Sequence, residues 1–252
     1  MIKVFEAVAV LLLAVAIHEA AHAVALRRHK IPIVEAGLGL PFPPRLIIDS
    51  KRLPFTVSVS PWLLGAYVRH SDADVAKAEA LPYRERAWWM GAGVVANLVS
   101  AFAVGALAAF FVTGRPLLGG AYVALVVLFT VLRKAFVAYL MPLVGLVVLG
   151  FLVLAFLEAT SAVTGPVGTV TAISEQLNSP YDLMRAFFFI SLGLAFFNMI
   201  PLYPVDGGRI AGAIVSRFFG ERVQRAFQSG AMILAFTLIG YTCINDLFAT
   251  AG

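Results

Sequence analysis

The sequence predicts an all-α polytopic membrane protein with about six transmembrane helices and a small β-hairpin region on the cytoplasmic side. Of its 252 residues, 61% are hydrophobic and only 13% are charged, whereas roughly a quarter of the residues in soluble domains are charged. Uncharged stretches long enough to cross about 30 Å of hydrocarbon, at about 1.5 Å per residue, recur along the chain. Basic residues collect between these stretches, as they do in membrane proteins.

The predicted helices follow one another through a single domain at 1–252. Helix one covers 4–26 and is expected to be retained, because a cleaved signal peptide would have a basic start and a short apolar core. The other predicted spans are helix two at 88–112, two shorter spans at 117–132 and 136–158, a span at 184–204 and a last span at 227–247. An alternative is one long helix at 115–160 that lies against the bundle, or a broken element there, which Pro142 and Gly145 would permit.

Positive charge orients the predicted helices. Ten Lys or Arg residues lie between Arg27 and Ala87, whereas only Lys3 precedes helix one. Because basic loops tend to stay in the cytoplasm, the amino terminus is expected outside and the loop after helix one inside. The two shorter spans cross the membrane twice, so the span at 184–204 again runs inward. They place a cytoplasmic turn at Arg133 and Lys134. The same bias explains the net charge of +5 without nucleic acid as a partner.

The segment at 31–68 has a different pattern from the helices. It contains an alternating strand at 55–60, a β-rich strand at 46–48 and a polar turn at 49–52 between them. A cytoplasmic hairpin is therefore predicted. It either connects the helices only, or presents the strand with Val57 and Val59 as an edge to which an extended substrate could add by main-chain hydrogen bonding.

Helix one carries His18-Glu19-Ala20-Ala21-His22 within an otherwise apolar stretch. Residues four apart lie on one face of a helix, so His18 and His22 can bind one metal ion while Glu19 points at its open side. Ionisable groups inside a membrane span are rare and usually functional. The alternative is a pair of core histidines that hydrogen-bond to neighbouring groups.

A catalytic zinc site uses three protein ligands and leaves a fourth position for water. Asp206 is the candidate third ligand, because it follows the span at 184–204 and lies at the depth of His22 in the predicted topology. The next two residues, Gly207 and Gly208, allow the backbone to come close to a partner. Alternatively, Asp206 only caps the helix that begins near Gly207.

These motifs together resemble the site-2 protease family of intramembrane zinc metalloproteases. The similar elements stand in the family's order: the histidine motif at 18–22, Leu64-Gly65-Ala66-Tyr67-Val68, Ala92-Gly93-Val94-Val95-Ala96-Asn97, Gly165-Pro166-Val167-Gly168, and the segment from Asn198 through Pro201 and Pro204 to Asp206-Gly207. The resemblance covers about residues 10–215. Ala66, Val94 and Val205 stand where the family has Gly, Pro and Leu, which leaves the ligand set intact. Members often carry a PDZ or CBS domain, and neither is expected in this chain.

The resemblance implies a zinc metalloendopeptidase that cuts a peptide bond in or near a transmembrane helix of a membrane-protein substrate, as in regulated intramembrane proteolysis. Zn²⁺ would be bound by His18, His22 and Asp206, with Glu19 as the general base. Asn198 and Asn97 are implied to hydrogen-bond the substrate backbone.

The active site is expected toward the cytoplasmic side of a prokaryotic cell membrane, with the lipid bilayer and a transmembrane protein as partners. A metal-ion transporter or a non-catalytic membrane scaffold is the alternative. A transporter would not require a Glu directly after the first His. A structural zinc site would want four ligands, usually including Cys, and Cys243 lies far away in the last predicted span.

Overall fold

The computed structural model describes residues 2–39, 43–49, 53–61, 66–158 and 166–251, and the described part consists mainly of helices with one small sheet. The helices are α1 (Ile2–Arg27), α2 (Asp72–Glu79), α3 (Tyr83–Leu107), α4 (Pro116–Ala135), α5 (Met141–Glu158), α6 (Pro166–Gln176), α7 (Pro180–Met199), α8 (Asp206–Phe219) and α9 (Glu221–Ala251). The strands are β1 (Glu35–Leu38), β2 (Leu46–Ile48), β3 (Thr56–Val59) and β4 (Ala66–Arg69).

Four helical segments in the described part are long and apolar enough to cross a membrane. They are Ile2–Arg27, Tyr83–Val112, Pro116–Val153 and Pro180–Met199. The chain is therefore an integral membrane protein, and helix one, helix two and the Asp206-bearing span coincide with three of these segments. The predicted last span at 227–247 lies within α9, part of which falls outside the described side chains. The six-span arrangement is not confirmed.

The two shorter spans predicted at 117–132 and 136–158 are not separated by a turn. The helix continues through Arg133 and Lys134, passes through a π-helical segment at Phe136–Leu140 and goes on as α5. The predicted inner turn is therefore wrong, and the alternative of one long helical element describes this region better. Arg133 and Lys134 do not end the helix, because nothing in this part of the sequence breaks the backbone hydrogen bonding.

The sheet has the strand order β2-β3-β1-β4. β2 pairs antiparallel with β3, which confirms the predicted hairpin. β1 inserts beside β3 as a parallel neighbour and is itself paired antiparallel with β4. The prediction that Val57 and Val59 lie on an edge strand is wrong, because β3 is hydrogen-bonded on both sides and has no free main-chain groups to offer.

A buried carboxylate links β1 to β4 and to the residue that precedes β2. Glu35 of β1 is 3% exposed. It accepts hydrogen bonds from the Tyr67 hydroxyl at 2.6 Å, from Arg69 at 2.6 Å and from Arg45 at 2.8 Å. The Tyr67 hydroxyl, followed by Ser58 and the two arginines, holds the pKa of Glu35 below its usual value. The sheet therefore contains a carboxylate that is buried in its charged form because its partners satisfy it.

The helix α3 occupies the centre of the bundle and packs against α1, α4, α7 and α8. The core around it is built from Val94 and Leu98 of α3, Val137 and Met141 of the long element, and Met199 at the end of α7, among others. Because α1 contacts both α3 and α7, the histidine motif faces the carboxyl end of α7. β4 also contacts α1, so the sheet lies next to the helix that carries this motif.

Local signals explain where the helices around the candidate site begin and end. The Ser179 hydroxyl accepts from the backbone N–H of Asp182 at 3.3 Å and caps the start of α7. The end of α8 is marked by Gly220, whose φ of 83° is favourable only for glycine. The carboxyl end of α7 and the start of α8 are thus joined by a short turn at 200–205.

Candidate metal centre

His18 and His22 lie one helical turn apart on the buried face of α1. Their side chains are nearly fully buried, at 6% and 8% relative exposure. The two imidazole rings meet edge to face, with centroids 4.9 Å apart. The spacing of four residues and the burial of this face against α3 and α7 therefore bring two nitrogen ligands to one point.

Asp206 reaches the same point from the turn after α7. It is the first residue of α8, with Val205 as the residue that precedes the helix. Its Oδ2 lies 3.2 Å from His18 Nε2 and 3.3 Å from His22 Nε2. The residue is 5% exposed, so the three side chains form a buried group. Asp206 thus meets His18 and His22, as its proposed role as the third ligand requires.

The glycines after Asp206 make the turn possible. A β-carbon at Gly207 would lie 2.2 Å from the carbonyl oxygen of Met199, and one at Gly208 would lie 2.3 Å from the backbone of Leu202. Any other residue would push the start of α8 away from the end of α7. The two glycines therefore bring Asp206 against the histidines by close backbone packing.

His22 is held by a backbone group of α3. Its Nδ1 lies 2.7 Å from the carbonyl oxygen of Trp89. A carbonyl oxygen can only accept, so Nδ1 donates its proton to it. In the neutral imidazole this leaves Nε2 as a free lone pair that faces the Asp206 carboxylate.

His18 has a side-chain partner on α3. Its Nδ1 lies 3.2 Å from the Asn97 amide, and the two groups are buried. As placed, the Asn97 nitrogen faces the ring, while its Oδ1 is buried with no hydrogen-bond partner. Nitrogen and oxygen of an amide are assigned from the hydrogen-bond pattern. In the opposite orientation Oδ1 accepts a hydrogen bond from His18 Nδ1, which leaves His18 Nε2 free to bind a metal.

Gly93 of α3 leaves space beside the two rings. A β-carbon there would lie 2.5 Å from His18 Nε2 and 2.6 Å from His22 Nε2. Real β-carbons are almost never found so close to another atom. The absence of a side chain at this position keeps the volume next to both ligand nitrogens open.

The donor set fits a zinc ion. Asp206 Oδ2 is buried without a hydrogen-bond partner, although it faces two imidazole nitrogens. The three ligand atoms lie within 4.8 Å of one another. Tetrahedral Zn²⁺ with bonds of about 2.0–2.1 Å would place its ligand atoms about 3.3 Å apart, which matches the two distances to Asp206. A cation bound between Asp206 Oδ2 and the two imidazole nitrogens would give the carboxylate oxygen the partner that it lacks.

Glu19 is adjacent to His18 in the motif and is only partly buried. Among the described residues, Glu19 has no hydrogen bond or ion pair. An unpaired carboxylate beside the ligand group is free to interact with a water molecule or a substrate.

The other predicted site residues lie elsewhere. Asn198 donates its amide hydrogen to the Leu194 carbonyl of its own helix at 2.9 Å, so its hydrogen bond does not reach the histidines. Val57 and Val59 lie in the interior strand β3. Asn97 is brought to the site, but as a partner of His18. The Gly165 to Gly168 element of the resemblance lies outside the residues whose side chains are described.

Two contributors to the site were not predicted in these positions. Trp89 acts through its backbone carbonyl, which no side-chain pattern can reveal. Gly93 belongs to the element of 92–97 that carries the family resemblance, and only its distance to the imidazole rings shows what the glycine does.

Comparison with known proteins gives a consistent result. The profile of Peptidase family M50 matches residues 6–240. A protein of Brucella suis biovar 1, named as a zinc metalloprotease, is 32% identical over 90 residues, which are 34% of this chain and 24% of that protein. A protein of Brucella melitensis biotype 1, also named as a zinc metalloprotease, is likewise 32% identical over 90 residues, with the same coverage of both chains.

A zinc metalloprotease by name from Mesorhizobium japonicum is 30% identical over 63 residues, which are 23% of this chain and 17% of that protein. The chain thus aligns with about a quarter or less of the length of these relatives. No solved structure matches the chain.

Proposed function

The chain belongs to peptidase family M50, the site-2 protease family, and from this premise we propose that it is an intramembrane zinc metalloprotease. The family is zinc-dependent. The proposed reaction is hydrolysis of a peptide bond in or near a transmembrane helix of a membrane-protein substrate. The observation that carries this proposal is the convergence of His18, His22 and Asp206 on one buried point, with the unpaired Glu19 next to it.

In the proposed mechanism, His18 Nε2, His22 Nε2 and Asp206 Oδ2 hold the metal, and Trp89 and Asn97 fix the two rings. When bound, Zn²⁺ supplies a Lewis acid for the scissile carbonyl and lowers the pKa of a water molecule to about 7. Glu19 accepts a proton from the attacking water as the new carbon–oxygen bond forms. It then gives that proton to the amine nitrogen as the carbon–nitrogen bond breaks.

The substrate must present an extended backbone, because the carbonyls of a transmembrane helix are hydrogen-bonded within the helix. The free edges of the described sheet are β2 and β4. β4 contacts α1, whereas Leu46, Ile47 and Ile48 of β2 are exposed on the opposite side of the sheet. Docking of an unwound substrate segment at β4 would leave it close to the helix that carries Glu19.

The proposed topology follows the basic residues. The amino terminus lies outside, and the loop after α1 with the sheet lies in the cytoplasm. The metal group would then be toward the cytoplasmic side of a prokaryotic cell membrane, since His22 is five residues from the end of α1 at Arg27.

The test compares Glu19→Gln with Asp206→Ala in detergent-solubilised full-length protein and a helical membrane substrate. Glu19→Gln keeps the side-chain shape but cannot accept a proton, so it should retain zinc and lose cleavage by about 100-fold or more. Asp206→Ala should lose both zinc and cleavage. Cleavage by Glu19→Gln within about tenfold of the wild-type rate would reject the proposed general base.

A further inference from the structure

A groove opens between α1, α3 and α4. Its volume is about 180 Å³. The walls on α1 and α3 consist mainly of small apolar residues at helical spacing: Ala21, Val24 and Ala25 of α1, and Ala92, Val95, Ala96 and Val99 of α3. α4 closes the third side with Thr130. Because alanine side chains are short, they leave the space of the groove between the helix surfaces.

Two arginines and an indole stand at one end of this groove. Arg28 follows the apolar face of α1, and Arg133 follows Thr130 on α4. The guanidinium carbon of Arg133 lies 5.7 Å from the centre of the Trp88 ring. The groove is thus apolar along its length and positively charged at the end where the basic residues of the bundle collect.

These arginines have no acidic partner among the described residues. Arg133 donates to the backbone carbonyl of Thr130, and Arg28 makes no hydrogen bond or ion pair. Glu85, the acidic residue of α3 at this end, is already paired with Lys134 at 2.5 Å and with His29 at 3.4 Å. The Trp88 indole nitrogen is buried without a hydrogen-bond acceptor.

We propose that this groove binds an anionic phospholipid. The phosphate of the lipid lies between Arg28 and Arg133, and the first part of an acyl chain lies along the alanines of α1 and α3. Basic pockets between transmembrane helices suit anionic headgroups, and tryptophan is favoured at the headgroup level.

Charge complementarity favours a lipid over a second protein. Two unpaired arginines above an apolar groove match a molecule with one anionic head and an apolar tail. A transmembrane helix is about 10 Å wide with its side chains, so a groove of about 180 Å³ holds only a small part of one. The lipid site uses none of the residues assigned to the metal or to the general base, and the proposal does not rest on the protease activity.

The test measures lipid binding to the purified full-length protein by native mass spectrometry. The probes are phosphatidylglycerol and phosphatidylcholine with identical acyl chains. The wild-type protein should retain phosphatidylglycerol preferentially. The double variant Arg28→Ala/Arg133→Ala should lose about 25-fold in affinity for it, since each arginine near an anionic headgroup contributes about fivefold. Ala96→Leu, which narrows the groove, should weaken both lipids.

The matched control is Arg217→Ala/Arg222→Ala, which removes two exposed arginines of α8 and α9 that do not line the groove. Its lipid preference should equal that of the wild type. Equal retention of both lipids by the wild type, or equal loss in the two double variants, would overturn the proposal. Displacement of the lipid by soluble glycerol phosphate at the same concentration would show a phosphate site without a chain groove, and would also overturn it.

A transmembrane substrate is the rival occupant. In that case the Arg28/Arg133 variant would have a raised KM for the substrate in lipid-free detergent, with unchanged lipid binding. That result would show that the groove binds a substrate helix and would overturn the lipid proposal.

Discussion

Gly93 of α3 touches the imidazole of His18 so closely that a single added methyl carbon would lie 2.5 Å from Nε2. The glycine therefore lines the candidate metal site, although it has no functional group. It lets the central helix approach the histidine-bearing helix while the space next to both ligand nitrogens stays open. The same close approach makes the position sensitive to the smallest possible substitution.

We predict that Gly93→Ala weakens zinc binding by about 10- to 100-fold, the range seen when groups that orient metal ligands are changed. The added methyl group must displace one or both imidazoles. Zinc affinity, measured by competition with a chelator, checks this. Gly120→Ala on α4 is the control, because a β-carbon there meets nothing within 4 Å. Unchanged affinity in Gly93→Ala would show that the rings adjust without cost.

Two substitutions of Asn97, one that keeps an oxygen acceptor and one that removes it, test the orientation of its amide. If Oδ1 accepts from His18 Nδ1, Asn97→Asp keeps the acceptor and should retain zinc at or above wild-type affinity. Asn97→Leu removes the acceptor and should weaken zinc binding by about 10- to 100-fold. Circular dichroism should show the same helix content in both variants. Weaker binding in Asn97→Asp than in Asn97→Leu would indicate that the amide nitrogen faces the ring.

The Glu35 cluster predicts a pH-dependent stability of the sheet. Because its partners lower the pKa of Glu35, its charged form stabilises the folded state above the ordinary pKa of a glutamate, and this contribution is lost as the pH falls through the lower folded pKa. Glu35→Gln should therefore cost about 2 kcal/mol at pH 7. The difference from wild type should shrink below about pH 4.

Thermal unfolding of the solubilised protein at several pH values measures this difference. Glu79→Gln is the control, because Glu79 is exposed at the end of α2 and has no side-chain partner among the described residues. A destabilisation by Glu35→Gln that is the same at pH 3 and pH 7 would indicate lost packing and no role for the charge.

The sheet edges give a prediction about substrate docking. A photo-crosslinking residue at Val68 in β4 should capture a transmembrane substrate bound to the inactive Glu19→Gln protein. The same residue at Ile47 in β2 should not, because β2 is the edge on the far side of the sheet from β4. The crosslinked fraction on a gel decides between the two edges. Capture from Ile47 with none from Val68 would move the docking site to β2.

The strongest predictions from the sequence were those that depend on local spacing. The positions of α1, α3 and α7 follow from long apolar stretches, since a span needs about 20 apolar residues whatever its neighbours are. The hairpin of β2 and β3 follows from alternation around a polar turn. The grouping of His18 with His22 follows from the helical repeat, and the choice of Asp206 from its place after a parallel span.

The tertiary structure alone decided the relations between segments distant in sequence. β1 enters the sheet beside β3 and removes it from the edge, because strand order depends on long-range pairing. The helix continues past Arg133 and Lys134, because charged side chains leave the backbone hydrogen bonding of a helix intact. The Trp89 carbonyl and Asn97 hold the imidazoles only because α3 crosses α1 at Gly93. Periodicity describes each element, whereas such contacts depend on how the elements pack.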